Sequence, residues 1–383
     1  MRIEQPPDIL RHGLVDVPFV DLTGSGRLLG PALMEDIEAL MEAGSFVNGR
    51  YVEAFERGFA ASCDRSICIG VASGLDALRL GLLAMGLEPG DEVIVPAMTF
   101  IATFEAVVQA GGTPVVVDVR GDDVGLDADA VAAVAGPRTR FLLPVHLYGQ
   151  IADPGALSAV ARRHELLILE DACQAHGAER DGVRAGALGT AAAFSFYPSK
   201  NLGAMGDAGA LVTDDDNVAA TMRALREHGQ TSPYHSDYVG YTARLDAIQA
   251  LVLTHKLPHL DAWNRARREA AAVYTEALAG VGDLQLPVTA DGSTHVWHLY
   301  TVRTKAPEAL AAFLRECGVA TGRHYPQPPH LSPAFASLGL SHGSFPVAEA
   351  VARETLSLPL YPGIGEAQLE AVVAAVHAFF DGA

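Results

Sequence analysis

The sequence has few cysteines and few basic residues, and both shortages exclude classes of protein. Its four cysteines form neither a CxxC pair nor a cluster with histidine, so we expect reduced thiols and no metal site. Lysine and arginine number 27 against 46 acidic residues, and a surface with a formal charge of −19 repels nucleic acid and anionic membranes. No apolar run approaches the roughly 20 residues that span a bilayer. The segment MRIEQPPDILRHG also lacks the apolar stretch of a signal peptide, so we expect a cytoplasmic protein.

What is present is an ordinary globular composition, with 49% hydrophobic residues in 383, enough for a large domain and a smaller companion. Residues 1–30 read as an irregular arm rich in proline and glycine. ALMEDIEALMEAG has helical periodicity and a stop at Gly44. We predict a large domain over 31–255, and a linker helix with a small C-terminal domain over 256–383.

Short apolar segments alternate with helical stretches between residues 67 and 213. Examples are DEVIVPAMTF, TPVVVDV, TRFLLPVHLYG and LLILEDA. This alternation favours a mainly parallel sheet with helices on both faces. Ligands of such sheets bind beyond the carboxyl ends of the strands, so the loops that follow the strands are the candidate site.

A lysine in one of these loops needs an explanation. Lys200 lies between the apolar run AAAFSFY and a glycine-rich segment, and Asp171 follows the apolar run LLIL. Glu170 would point to the opposite face of the sheet from Asp171, whereas Gln174 would lie on the same side as Asp171. One interpretation is a structural salt bridge between Asp171 and Lys200. The other is an amine used in covalent chemistry.

A pyridine aldehyde phosphate would engage these residues together. Lys200 would form a Schiff base with the aldehyde, and Asp171 would pair with the pyridine nitrogen. The start of the helix at Ser73–Gly74–Leu75, with the Ser195 hydroxyl, would hold the phosphate. Phe100 is either a stacking partner of the ring or an ordinary core residue.

The chain resembles the sugar aminotransferases of the DegT/DnrJ/EryC1/StrS family, which are fold-type I pyridoxal-phosphate enzymes. The resemblance extends over nearly the whole chain, through the segments ASGLDAL, GDEVIVPAMTF, EDACQAHGA, FSFYPSKNLGAMGDAGA, RLDAIQA, HYPQPPHLSP and LSLPLYPGI. It implies a large domain with a mainly parallel, seven-stranded-type sheet and a smaller α/β domain. The implied cofactor-binding residues are Gly74, Leu75, Phe100, Asp171, Gln174, Ser195, Lys200 and Thr242.

Thr242 marks a departure from the family. Many members have an asparagine there that reaches the phosphate across a homodimer whose active sites lie at the subunit interface. Threonine is shorter, although its hydroxyl can still donate a hydrogen bond. The expected substrate contacts are Tyr197, Arg244, His324, Tyr325 and His330.

The resemblance implies that an amino group moves from L-glutamate to a dTDP-linked keto-deoxysugar, with pyridoxamine phosphate as the intermediate cofactor form. The segments HYPQPPHLSP and VWHLYTV look most like enzymes that aminate 3-keto sugars in antibiotic pathways. A 4-keto acceptor, hexose or pentose, remains the alternative. Sugar dehydratases of the family have histidine in place of the lysine, and a non-catalytic pyridoxal-binding protein is the third interpretation.

Overall fold

The computed structural model describes residues 15–382, apart from the side chains of residues 25–28. In chain order, the helices of this part of the chain are α1 Thr23–Ala43, α2 Arg50–Ser62, α3 Gly74–Ala84, α4 Ala102–Gln109, α5 Ala128–Val134, α6 Pro154–Arg163, α7 Asp216–Arg226, α8 Ala247–Lys256, α9 Leu260–Ala277, α10 Pro307–Glu316, α11 Pro346–Glu354 and α12 Glu366–Asp381. The strands are β1 Ile67–Val71, β2 Glu92–Pro96, β3 Thr113–Val117, β4 Thr139–Leu142, β5 Leu167–Asp171, β6 Glu179–Arg180, β7 Val183–Arg184, β8 Ala191–Ser195, β9 Gly209–Thr213, β10 Gln230–Ser232, β11 His235–Ser236, β12 Ser293–Thr294, β13 Tyr300–Arg303 and β14 Thr355–Leu358.

The central sheet has seven strands in the order β1-β9-β8-β5-β4-β2-β3. Five of them, from β8 to β3, pair in parallel, and β9 runs antiparallel to both of its neighbours. The prediction of a mainly parallel, seven-stranded sheet is therefore confirmed. Because these five strands run in the same direction, all their carboxyl ends lie along one edge of the sheet.

Both faces of this sheet are buried, which explains why its strands are almost continuously apolar. Ala193 packs into one core cluster with Leu80 and Phe104, and the next residue, Phe194, packs into the other with Phe55 and Phe59. Successive side chains of a strand point to opposite faces. The sheet is therefore held rigidly from both sides, and so are the loops at its carboxyl edge.

The chain beyond α8 builds a smaller unit. α8 and α9 are separated by a 3₁₀ turn, Leu257–His259, which contains Pro258. The antiparallel strands β13 and β14 pack with α9, α10 and α12 around a core of their own. The boundary at residue 255 stays a prediction.

The predicted N-terminal arm is shorter than expected. Helix α1 begins at Thr23, although residues 1–30 were expected to be irregular. The Asp21 carboxylate accepts the N–H of Thr23, the first residue of the helix, at 2.7 Å, and so supplies a partner that the helix itself lacks at its start. Val17, before the helix, pairs with Val319 of the small unit. Residues 1–14 of the predicted arm lie outside the described residues. α1 ends as predicted, with Gly44 left-handed at φ 61°.

Two simpler findings concern the cysteines and the membrane. All four cysteines are free thiols. Within residues 15–382, no helix has both the length and the apolar character needed to cross a bilayer.

Candidate active site

A cavity of about 430 Å³ opens at the carboxyl edge of the central sheet. It brings together residues from the large unit and from a loop of the small unit that contains His324 and Tyr325, here called the small-domain loop. The sequence-predicted residues that line it are Gly74, Leu75, Phe100, Asp171, Gln174, Ser195, Tyr197, Lys200, His324 and Tyr325. Residues separated by up to 251 positions in the chain therefore meet at the edge where ligands of parallel sheets bind.

Lys200 lies in the loop after β8 and is half-buried, with its side chain lining the cavity. Its backbone N–H donates to the Tyr197 carbonyl at 2.8 Å. The next residue, Asn201, is buried and donates to Asn264 Oδ1 and to the Val296 carbonyl, both at 2.8 Å. Burial lowers the pKa of the Lys200 amine, although Cys173 and Asp171 partly oppose this shift. The neutral amine, which is the reactive form, is thereby favoured.

Asp171 ends strand β5, and its carboxylate has two partners from the protein. The Thr103 hydroxyl donates to Oδ2 at 2.8 Å, and the Cys173 N–H donates to Oδ1 at 3.2 Å. Since each carboxylate oxygen has two lone pairs, capacity to accept a further donor remains. No sequence pattern identified Thr103, because the contact spans 68 positions and depends on the packing of α4.

The start of helix α3 also lines the cavity. Ser73 caps this helix by accepting the Asp76 N–H at 3.0 Å, and the N–H groups of Gly74 and Leu75 have no intrahelical partner. The backbone here packs closely: a Cβ on Gly74 would lie 2.7 Å from Ser195 Cβ and 2.9 Å from Cys173 Sγ. Free N–H groups, a hydroxyl and the positive end of a helix dipole form a site for a phosphate group.

Gln174 connects the large unit to the small-domain loop. Its Oε1 accepts the Tyr148 N–H at 2.8 Å, and its Nε2 donates to the Tyr325 hydroxyl at 3.0 Å. The Tyr325 ring also contacts Phe100, with a centroid distance of 5.3 Å and a tilt of 40°. The small-domain loop is therefore anchored directly to the wall that contains Asp171.

His298 and Cys173 also line the cavity, and the sequence did not single them out as site residues. His298 is buried, and its Nδ1 has no hydrogen-bond partner among the described residues. Burial, followed by the nearby Lys200 charge, lowers its pKa well below the ordinary range. Its position inside an apolar run, VWHLYTV, gave no signal that distinguished it from a core histidine.

Three predicted site residues do not line this cavity. Thr242 is exposed, with its hydroxyl 3.3 Å from His228 Nε2, and Arg244 pairs with Glu227 at 2.7 Å. The prediction for His330 as a substrate contact needs correction. Its ring is 1% exposed, packs edge-on against Phe345 and lies 3.4 Å from Glu349, so it stabilises the loop from inside.

The chemical groups that line the cavity match those that pyridoxal phosphate needs. The amine of Lys200 would meet the aldehyde, the carboxylate of Asp171 would meet the ring nitrogen, and the start of α3 would meet the phosphate. A fold of this type with this site defines a pyridoxal-phosphate-dependent enzyme.

The chain belongs to the DegT/DnrJ/EryC1/StrS aminotransferase family, whose sequence model matches residues 29–377. It is 47% identical over 360 residues to dTDP-3-amino-3,4,6-trideoxy-alpha-D-glucose transaminase of Streptomyces venezuelae, covering 94% of this chain and 95% of the relative. It is 44% identical over 368 residues to the "pleiotropic regulatory protein" of Geobacillus stearothermophilus, covering 96% and 99%.

Among solved structures, S. venezuelae DesV in complex with a ketimine intermediate matches with a TM-score of 0.92 at 47% identity, covering 94% of this chain and 98% of that one. The family and the fold are those that the motifs implied, and the protein is a pyridoxal-phosphate-dependent aminotransferase.

Proposed function

We propose that the protein transfers an amino group from L-glutamate to a dTDP-linked keto-deoxysugar, with a 3-keto sugar as the acceptor. The observation that carries this proposal is the single cavity shared by a desolvated Lys200, by Asp171 and by the start of α3. The acceptor class is supported by the S. venezuelae relative, whose name describes a transaminase of a dTDP-linked 3-amino sugar. Biosynthesis of an amino sugar for a secondary metabolite is the corresponding role.

Bound pyridoxal phosphate would carry the amino group between the two substrates and withdraw electrons from the carbon that loses a proton. Lys200 would move that proton. Because burial lowers the pKa of its amine, Nζ can accept the proton from the donor α-carbon near neutral pH and then return it. The negative charge of Asp171 would stabilise a protonated ring nitrogen, and the N–H groups of Gly74 and Leu75 with Ser195 would hold the phosphate.

The sugar would lie against the side chains at the cavity rim. Tyr197 is exposed, and it lines the cavity with His324 and Tyr325. Burial, followed by the Lys200 charge, lowers the pKa of His324 to about 4, so this imidazole is neutral at physiological pH. Its Nδ1 lies 2.9 Å from Ser357 Oγ and its ring stacks on Phe19. His324 would therefore orient a sugar hydroxyl or phosphate by hydrogen bonding and not by charge.

We also propose a homodimer, because an apolar patch lies beside the cavity. The patch consists of Phe46, Val47, Met205 and Ile248, all substantially exposed. The Ala247 N–H donates to the Phe46 carbonyl, and the Met205 N–H donates to Gln249, which bring the four residues to the start of α8. Exposed apolar patches mark interaction surfaces, and a second copy covering this one would place its active site at the interface.

The dimer proposal can be tested by measuring the molar mass of the protein in solution. Phe46→Asp should give monomers by light scattering and should lower activity sharply, whereas Val273→Asp, on the exposed side of α9, should leave a dimer. A wild-type monomer with full activity would contradict the proposal.

In a dimer, Thr242 of the partner subunit would approach the phosphate. We then expect Thr242→Asn to bind the cofactor more tightly and Thr242→Val more weakly.

The function is tested by incubating the holoenzyme and glutamate with paired 3-keto and 4-keto dTDP-sugars, and by reading the position of the amine by NMR. We expect the 3-amino product. Borohydride reduction of the yellow holoenzyme should attach a pyridoxyl group to the peptide that contains Lys200, and Lys200→Ala should abolish both the attachment and turnover. A colourless protein that takes up no pyridoxal phosphate would disprove the proposed function.

A second candidate function has one specific observation in its favour. The G. stearothermophilus relative is named as a regulatory protein, although it aligns over nearly its whole length. In a purely regulatory protein, the cofactor would bind and neither keto sugar would be aminated. The intact Lys200 argues against the dehydratases of the family, which have histidine there. The same product assay separates these cases.

A further inference from the structure

A chain of two threonine hydroxyls lies behind Asp171. Thr103 Oγ1 lies 2.8 Å from Asp171 Oδ2, and Thr99 Oγ1 lies 2.7 Å from Thr103 Oγ1. Thr103 is fully buried and Thr99 is 1% exposed. Asp171 and Thr99 line the cavity and Thr103 does not, so Thr103 can act on a bound molecule only through these two neighbours.

The direction of this chain follows from hydrogen-bond chemistry. An ionised carboxylate only accepts, so the Thr103 hydroxyl must donate its one hydrogen to Asp171. The oxygen of Thr103 then accepts from Thr99, which is the only way in which the 2.7 Å contact can be satisfied. A donor whose own oxygen accepts a hydrogen bond is polarised, which strengthens its bond to an ionised acceptor.

The helix that carries Thr103 is fixed in place. Thr103 lies in the first turn of α4, and the following Phe104 is fully buried against Phe335, with a centroid distance of 5.3 Å. Ala106 and Val107 of the same helix are also in the core. A hydroxyl on such a rigid element holds its partner in one orientation.

We infer that Thr103 is a positioning residue of the cofactor site: backed by Thr99, it holds the Asp171 carboxylate in the orientation that faces the ring nitrogen. This inference rests on the proposed role of Asp171 toward pyridoxal phosphate. A competing explanation is that Asp171 merely satisfies a buried hydroxyl, which every protein interior requires. In that case Thr103 would matter for folding but not for cofactor binding.

The experiment titrates apoprotein variants with pyridoxal phosphate and follows the visible absorbance. Thr103→Val has the shape of threonine but no donor, and Thr103→Ser retains the hydroxyl. We expect Val to weaken binding by about tenfold or more, as for a lost hydrogen bond to a charged group, and Ser to bind nearly as wild type. Thr99→Val should weaken binding by only about threefold, because Thr103 still donates.

A double-mutant cycle distinguishes positioning from a general structural effect. If Thr103 acts through Asp171, Thr103→Val should cost much less binding in an Asp171→Asn background. Equal affinity of Thr103→Val and wild type, or an undiminished loss in the Asp171→Asn background, would overturn the inference. If Thr103→Val does not fold, the same cycle is run with Thr99→Val, and a loss of binding that is undiminished in the Asp171→Asn background overturns the inference. Wild-type protein that binds no cofactor would instead refute the proposed function.

Discussion

Glu170 and Asp171 are neighbours in the sequence, yet their carboxylates lie on opposite faces of strand β5. Asp171 lines the cavity, whereas Glu170 is fully buried beneath the sheet. Glu170 accepts the N–H groups of Gly186, Leu188 and Gly189, each at 2.9 Å, and lies 2.9 Å from His146 Nε2. One carboxylate therefore organises a loop, and the other lines the cavity.

This separation predicts two distinct mutant phenotypes. Glu170→Ala should lower the free energy of unfolding of the apoprotein by about 3 kcal/mol or more, because three backbone donors lose their partner in the interior. Asp171→Asn should leave that stability nearly unchanged and weaken cofactor binding. Denaturant unfolding and cofactor titration measure the two effects. Glu370→Ala, exposed on α12, is the control and should change stability by less than about 0.5 kcal/mol. Equal stability of Glu170→Ala and wild type would disprove the assignment.

Gly74 should not tolerate a side chain. A Cβ there would lie 2.7 Å from Ser195 Cβ, so Gly74→Ala must push the start of α3 away from β8. We expect a loss of stability of about 1–3 kcal/mol and clearly weaker cofactor binding. The matched control is Gly30→Ala in α1, where nothing lies within 4 Å of the added atom. There the change should stabilise by up to about 1 kcal/mol. Calorimetry of both variants is the test, and identical behaviour would contradict the packing argument.

The buried His176 should make the fold acid-sensitive. Its ring packs among Phe59, Phe194 and Phe196, and neither nitrogen has a partner among the described residues. Burial, followed by the Lys200 charge, lowers its pKa from 6.5 to about 3. The unfolded state therefore binds more protons between these values, so stability is complete above about pH 6.5 and falls as the pH drops toward 3.

At pH 5 this one histidine should remove about 2 kcal/mol relative to neutral pH. Thermal unfolding across pH 4.5–7.5 measures the slope. His176→Gln should flatten it, whatever its effect on stability at neutral pH, and the exposed His235→Gln should not. An unchanged slope in His176→Gln would show that other groups cause the acid sensitivity.

Cys173 should report cofactor occupancy. It is partly exposed and lines the cavity, whereas the other three cysteines are buried. Burial raises the pKa of its thiol, so iodoacetamide should react slowly and faster as the pH rises, because the thiolate is the nucleophile. In the apoprotein, mass spectrometry should find Cys173 modified first, and pyridoxal phosphate should protect it. Cys173→Ala supplies the background rate. The same rate with and without cofactor would place the ring elsewhere.

Local patterns in the sequence were sufficient to predict much of the fold and of the candidate site. Apolar strands alternate with helices, Asp171 and Lys200 follow two of those strands, and Ser73 precedes a helix. Each of these signals lies within about ten residues, where side-chain alternation and capping rules act. They predicted the sheet, and they placed at its carboxyl edge the lysine, the carboxylate and the turn at Ser73 that line one cavity.

The tertiary structure decided the rest. Three features of the site depend on how helices and the small unit pack on the sheet. Thr103 donates to Asp171, Gln174 donates to Tyr325, and His298 lines the cavity. His330 resembles an exposed loop histidine in sequence, and only packing against Phe345 removes it from the site. Composition and periodicity determine which face of an element is buried. The particular side chain that meets it across the core is fixed by close packing between segments far apart in the chain.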